Sequence, residues 1–141
     1  MRTVTCLLLL LTSAFVGATE MQSKPPDKLL LGSWQWTREE NGCTELYSFE
    51  REGVLATVSG AELTRQLFVV LAPGDAGERL KLGIVTLTDN GLGDCAEVAV
   101  DDTGLSYEIW VEFSPRGDQM IMCYTESGPE CFGPLLRQHG I

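Results

Sequence analysis

The residues able to do chemistry in this 141-residue chain are few: five cysteines, one histidine, and 20 aspartates and glutamates against 10 lysines and arginines. A nucleophilic mechanism needs a free thiol, or a hydroxyl beside a base. His139 lies in the last residues of the chain, where termini fray, so no Ser-His pair assembles around it. The cysteines are Cys6, Cys43, Cys95, Cys123 and Cys131, and their wide spacings lack the close pairs and histidine partners of a zinc site. No metal and no cofactor is expected. Carboxylates are the remaining route. Glu45 shares a strand face with Cys43, Tyr47 and Phe49, so it points inward as an acid or as a hydrogen-bond partner for a polar ligand group. The plainer reading is a rim residue, solvated or paired with Arg38 or Arg65. Two acidic stretches, Asp89–Asp94 and Asp101–Gly104, offer oxygens to calcium but lack its full ligand register. Their Asp, Asn and Gly residues are also what tight turns use, and that reading is preferred. The chain reads as a non-enzyme.

The aromatic residues carry the rest of the signal. Trp34 and Trp36 share a face by alternation, and Trp36 lines an interior pocket with Tyr47 and Tyr107 if the interior is open. Trp110 alternates to the outside between Glu108 and Glu112, an expected interface anchor or, more plainly, an edge contact.

These residues must be held by strands. Turn signals recur at Asn41-Gly42, Glu52-Gly53, Ser59-Gly60, Pro73-Gly74, Asn90-Gly91, Thr103-Gly104, Arg116-Gly117 and Ser127-Gly128, a spacing typical of an all-β barrel or sandwich. Between them lie segments of period-two alternation, clearest in Leu105, Tyr107, Ile109, Val111 and Phe113 against Ser106, Glu108, Trp110 and Glu112. Eight strands are expected, near 32–38, 43–50, 54–59, 65–72, 79–87, 94–100, 105–113 and 119–124, with a short ninth piece near 134–137. An even count with short connections suits an eight-stranded antiparallel up-and-down barrel. Pro25–Leu31 is either a short N-terminal helical turn whose leucines plug one barrel end, or a flexible leader. Gly83, Ala56 and Ala99 are the small residues expected to leave interior room.

The N-terminus reads as an export signal. Arg2 precedes the apolar run Leu7–Leu11 with Ala14, Phe15 and Val16, and Val16-Gly17-Ala18 fits a cleavage site. Thr12 and Ser13 interrupt that run and Glu20 ends it, so it is too short for a membrane span. The expected division is a signal peptide over 1–18, a leader over 19–30, a barrel domain over 31–137 and a flexible tail over 138–141, with a periplasmic or secreted destination. Cys6 leaves with the signal. Cys43, Cys95, Cys123 and Cys131 remain, an even number in an exported chain, and two disulfides follow. In the expected meander Cys43 and Cys95 open strands of the same direction, whereas Cys123 and Cys131 lie at the opposite end. Cross-pairing would span about 25 Å against a Cα limit near 7 Å, which favours Cys43–Cys95 and Cys123–Cys131.

Leu31-Gly32-Ser33-Trp34, a Gly-x-Trp after a short apolar lead-in, resembles the opening signature of the lipocalins and their calycin relatives. The resemblance implies a barrel over roughly residues 25–137 in which Trp34 closes the floor and a basic residue from a late segment, here Arg137, packs across its ring. The chain is shorter than a typical lipocalin, no C-terminal helix follows the barrel, and no Thr-Asp-x-x-x-Tyr-type motif stands in the middle. Small exported bacterial lipocalin-like proteins share the Glu45-Leu46-Tyr47-Ser48-Phe49 pattern, which names a fold and no activity.

The function expected is therefore a lipocalin-like binding protein for a small apolar or amphipathic ligand, with Trp36, Glu45, Tyr47 and Tyr107 as its binding residues. The alternative is an acidic inhibitor or immunity-type protein that binds a basic protein partner, since acidic surfaces speed such encounters. A net charge of −10 and a pI near 4.4 exclude unaided nucleic-acid binding, which needs a basic face.

Overall fold

The computed structural model describes residues 26–72 and 79–139. The expected signal peptide lies outside them. A five-residue helix, α1 (Pro26–Leu30), leads into eight strands: β1 (Gly32–Thr37), β2 (Thr44–Phe49), β3 (Val54–Ser59), β4 (Glu62–Ala72), β5 (Leu80–Asp89), β6 (Ser106–Phe113), β7 (Gln119–Cys123) and β8 (Cys131–Gln138). Each pairs antiparallel with its successor, and β8 returns to β1 through Trp34 opposite Arg137, so the sheet closes into an up-and-down barrel. Closure gives every strand a partner on both sides, and the strict meander places successive turns at alternating ends.

Two expected strands are corrected. Residues 94–100 form no strand: the Asp94 carboxylate accepts from the N–H groups of Ala96 and Val98, both at 2.8 Å, and Glu97 takes a positive φ of 62°. An Asp that binds the backbone just ahead of it competes with ladder formation, and here it wins over the alternating valines, which are left half exposed. The eighth strand is instead the segment expected as a ninth piece, lengthened to Cys131–Gln138; it takes in Gln138, assigned above to the tail.

The recount changes the place of the cysteines. The disulfides are Cys43–Cys95 and Cys123–Cys131, as expected. Yet Cys123 closes the seventh strand, not the eighth, so both bridges lie at the same end of the barrel. The pairing was right and the opposite-ends argument for it was not.

That end is the mouth, formed by the turns after β1, β3, β5 and β7. The other end is packed. Leu30 of α1, Trp34, Phe49, Leu80, Leu82, Val111, Met120 and Leu135 are all buried there or in the adjoining layer. Trp34 is the pivot of this floor. Its indole N–H donates to Leu30 O at 2.8 Å, its ring lies 5.8 Å from that of Phe113, and the Arg137 guanidinium sits 4.1 Å above it. Arg137 in turn donates to the carbonyls of Leu31 and Gly117, each at 2.9 Å, and to that of Leu29. One side chain thus ties the helix, the first strand and the β6–β7 turn together. Gly32 is required beside it, because φ is +119° and an added Cβ would lie 3.1 Å from the Arg137 Nη1.

The β3–β4–β5 wall reverses the usual polarity. Glu62, Thr64 and Gln66 of β4 face inward, while Leu63, Leu67 and Val69 are 55%, 44% and 57% exposed on the outside. Gly83 and Ala56, expected to leave interior room, lie on the outward rows of β5 and β3, and Ala99 sits in the β5–β6 connection. Leu105 is half exposed rather than part of the inward row of β6.

Candidate functional site

The barrel is solid below and open above. A cavity of about 560 Å³ opens at the mouth, and its walls differ in chemistry. One wall is aromatic and apolar: Trp36 from β1, Tyr47 from β2, Ile109 from β6, Met122 from β7, Phe132 from β8 and Tyr124 just beyond β7. Phe132 is its centre, with ring centroids 5.1 Å from Trp36, 5.8 Å from Tyr124 and 6.1 Å from Tyr47. Tilted rings at these distances make a stable aromatic surface.

The other wall is polar. Strand alternation on β3, β4 and β5 brings Thr57, Ser59, Glu62, Thr64, Gln66 and Thr86 to the interior. The Gln66 amide donates to Tyr107 Oη at 3.0 Å and to Thr86 Oγ1 at 3.4 Å. Its Oε1, together with Thr57 Oγ1 and Thr64 Oγ1, is buried with no hydrogen-bond partner. Buried polar atoms are nearly always paired, so three orphans on one wall of a cavity mark hydrogen-bonding capacity that a guest would use.

The rim is acidic. Asp89 ends β5, and the long connection that follows brings Asp94 and Asp102 over the mouth beside Glu62. That connection is strapped down: Cys95 is bridged to Cys43, its N–H donates to Ser59 Oγ at 3.0 Å, and Asn41 Nδ2 donates to Cys95 O at 2.7 Å. The carboxylates also serve the loop itself, Asp89 accepting from Gly91 N at 2.8 Å and Asp101 from Thr103 N at 2.9 Å. Among the described residues no three His, Cys, Asp or Glu side chains converge in a metal-holding arrangement. Burial, and then the charges of Asp89, Asp94, Asp102 and Glu45, push the Glu62 carboxyl up to about 7.

Trp36, Glu45, Tyr47 and Tyr107 all line this one cavity. Glu45 is 6% exposed and already partnered: the Tyr47 hydroxyl donates to it, and Arg38 lies 3.7 Å away. Burial, with the Glu45 charge second, holds the Tyr47 phenol far above its ordinary value, and burial pushes that of Tyr107 up to about 12. Both hydroxyls therefore stay protonated as hydrogen-bonding groups. Arg38 also stacks 5.4 Å over the Trp36 ring. Trp110 stands apart on the outer face, half-buried, with Lys81 5.2 Å over its ring and bridged to Glu108 at 2.9 Å.

Sequence reasoning named Trp36 and Tyr47 of the aromatic wall as binding residues but not Phe132 at its centre, nor Ile109, Met122 and Tyr124, and of the polar side it named only Glu45 and Tyr107. The missed residues, Thr57, Glu62, Thr64, Gln66 and Thr86, do alternate regularly along their strands. The signal is present, but the rule that apolar residues face inward would give the interior to the leucines and valines of the alternate row.

No protein-family model, curated protein or solved structure matches this chain.

Proposed function

We propose that the chain is an exported, lipocalin-like carrier that holds a small amphipathic ligand in the open half of its barrel. The observation that carries the proposal is the division of the interior: a floor sealed by Trp34, Arg137 and α1, beneath a 560 Å³ cavity with one aromatic and one polar wall. A protein that acted only through its outer surface has no use for a half-empty core, since unfilled volume costs packing contacts. The calycin reading is supported by the Gly32-Ser33-Trp34 start of β1 and the Arg137 stack at the place the resemblance implies, on a closed eight-stranded antiparallel barrel. Export is supported by two disulfides, bonds that persist in oxidising compartments. Among the described residues no helix is long and apolar enough to cross a membrane.

Native mass spectrometry of the protein purified from its own host tests the carrier role. A small-molecule mass that is retained natively and lost on denaturation is the expected result. A bare chain, combined with a basic protein that co-purifies at fixed stoichiometry, overturns it in favour of the inhibitor-type reading.

A further inference from the structure

The cavity's chemistry selects among amphipathic ligands. Among the described residues five carboxylates line it, those of Glu45, Glu62, Asp89, Asp94 and Asp102, against one cation, Arg38. Arg38 makes two long ion pairs, with Glu45 at 3.7 Å and Glu40 at 3.9 Å, and its buried Nε has no hydrogen-bond partner; among the described residues no basic side chain pairs with the four acids around Glu62. An anionic guest would therefore enter a field of its own sign. A purely apolar guest fares no better, because it leaves the already buried orphan oxygens of Thr64 and Gln66 unpaired. The Gln66 Oε1 can only accept, so the guest must bring a donor. On the facing wall, Arg38 already rests on Trp36, and such a surface attracts positive charge as well as flat apolar groups.

We propose that the ligand is a small organic ammonium ion on a flat apolar body, its N–H groups directed to Glu62 and Gln66 and its body laid against Trp36, Tyr47 and Phe132. This rests on the carrier reading and narrows it. One consequence is proton release. Glu62 faces Asp89 from β5, Asp94 and Asp102 from the β5–β6 connection, and Glu45 from β2, and burial, together with these charges, keeps it partly protonated near neutral pH. A cation bound beside it favours the ionised form, so binding tightens as pH rises from 6 to 8.

Isothermal titration of the disulfide-intact protein with 4-phenylbutylamine, 4-phenylbutanol and 4-phenylbutanoate tests this. The amine is expected to bind at least tenfold more tightly than the alcohol, the carboxylate more weakly still, and amine binding at pH 7 to release a fraction of a proton. Glu62→Gln should weaken the amine at least fivefold, abolish the proton release and weaken the alcohol by much less than the amine. Equal affinity for amine and alcohol, preference for the carboxylate, or an unaltered amine affinity in Glu62→Gln overturns the cation inference while the carrier reading stands. Failure of all three probes, with no retained mass in the native spectrum, overturns both.

Discussion

Glu62 shows what a single residue contributes here and what it costs. Its carboxyl is raised to about 7 by burial and by Asp89, Asp94, Asp102 and Glu45, so the folded protein holds a proton that the unfolded chain releases near 4.5. Stability therefore falls as pH rises from 4.5 through 7, the reverse of the usual salt-bridged acid. Because Glu62 is partly solvated, screening reduces the effect to the order of 1 kcal/mol. Urea unfolding at pH 5, 6, 7 and 8 should show this decline in the wild type and a shallower one in Glu62→Gln, with the variant the more stable at pH 8. A variant that tracks the wild type at every pH contradicts the assignment. Gly32 makes a second case at this scale. A side chain there meets both a positive φ and the Arg137 guanidinium, so Gly32→Ala should lose about 2 kcal/mol. Gly93, with no atom near its virtual Cβ and no positive φ, should accept alanine within about 0.5 kcal/mol. The Gly-x-Trp pattern is thereby explained by local sterics: the glycine clears the path by which Arg137 reaches Trp34.

Among the elements, the strap over the mouth matters most. Residues 90–105 have no ladder of their own, and Cys95 ties them to the start of β2. Closing a 52-residue separation should stabilise the fold by about 4 kcal/mol in the chain-entropy treatment, against about 2.5 kcal/mol for the eight-residue Cys123–Cys131 hairpin. Thermal unfolding of the two paired Cys→Ser variants should preserve that order, and loss of the long bridge should also weaken ligand binding, because Asp94 and Asp102 are positioned by it. Equal losses from the two variants would mean that the strap is held by its hydrogen bonds alone. The strap also shows why part of the fold was illegible. The alternation of Glu97-Val98-Ala99-Val100 looked like a strand, and nothing in that pattern announced that the Asp94 side chain would capture the backbone first. By contrast β6 was legible, because charged and apolar rows separate cleanly along Tyr107–Phe113. On β4 the rows are equally regular, but Glu62, Thr64 and Gln66 face inward and Leu63, Leu67 and Val69 outward, against the hydrophobic rule. A cavity wall inverts the rule that apolar residues face inward, and a sequence read by that rule finds the packed half of a barrel before the open half.

At the scale of the whole molecule, the proposed carrier role assigns stability to the packed floor and recognition to the open mouth. The floor concentrates the large buried side chains and the Trp34–Arg137 closure, which leaves the mouth free to keep unpaired oxygens and crowded acids that would otherwise be liabilities. The net charge of −10 is not neutral background to this division. A cleft lined by one sign of charge with low-dielectric walls focuses the field of the molecule and raises the encounter rate of oppositely charged ligands. Salt shortens the reach of that field from about 30 Å at 0.01 M to about 3 Å at 1 M. Stopped-flow measurement of 4-phenylbutylamine binding, followed through the Trp36 emission, should therefore show an association rate that falls several-fold between 10 mM and 500 mM sodium chloride. The dissociation rate should change less, because contacts inside the cavity are shielded from mobile ions. The alcohol of the same body should show no such dependence. If amine and alcohol respond to salt alike, the acidic mouth plays no part in capture, and the charge of this protein would have to be explained by its outer surface alone.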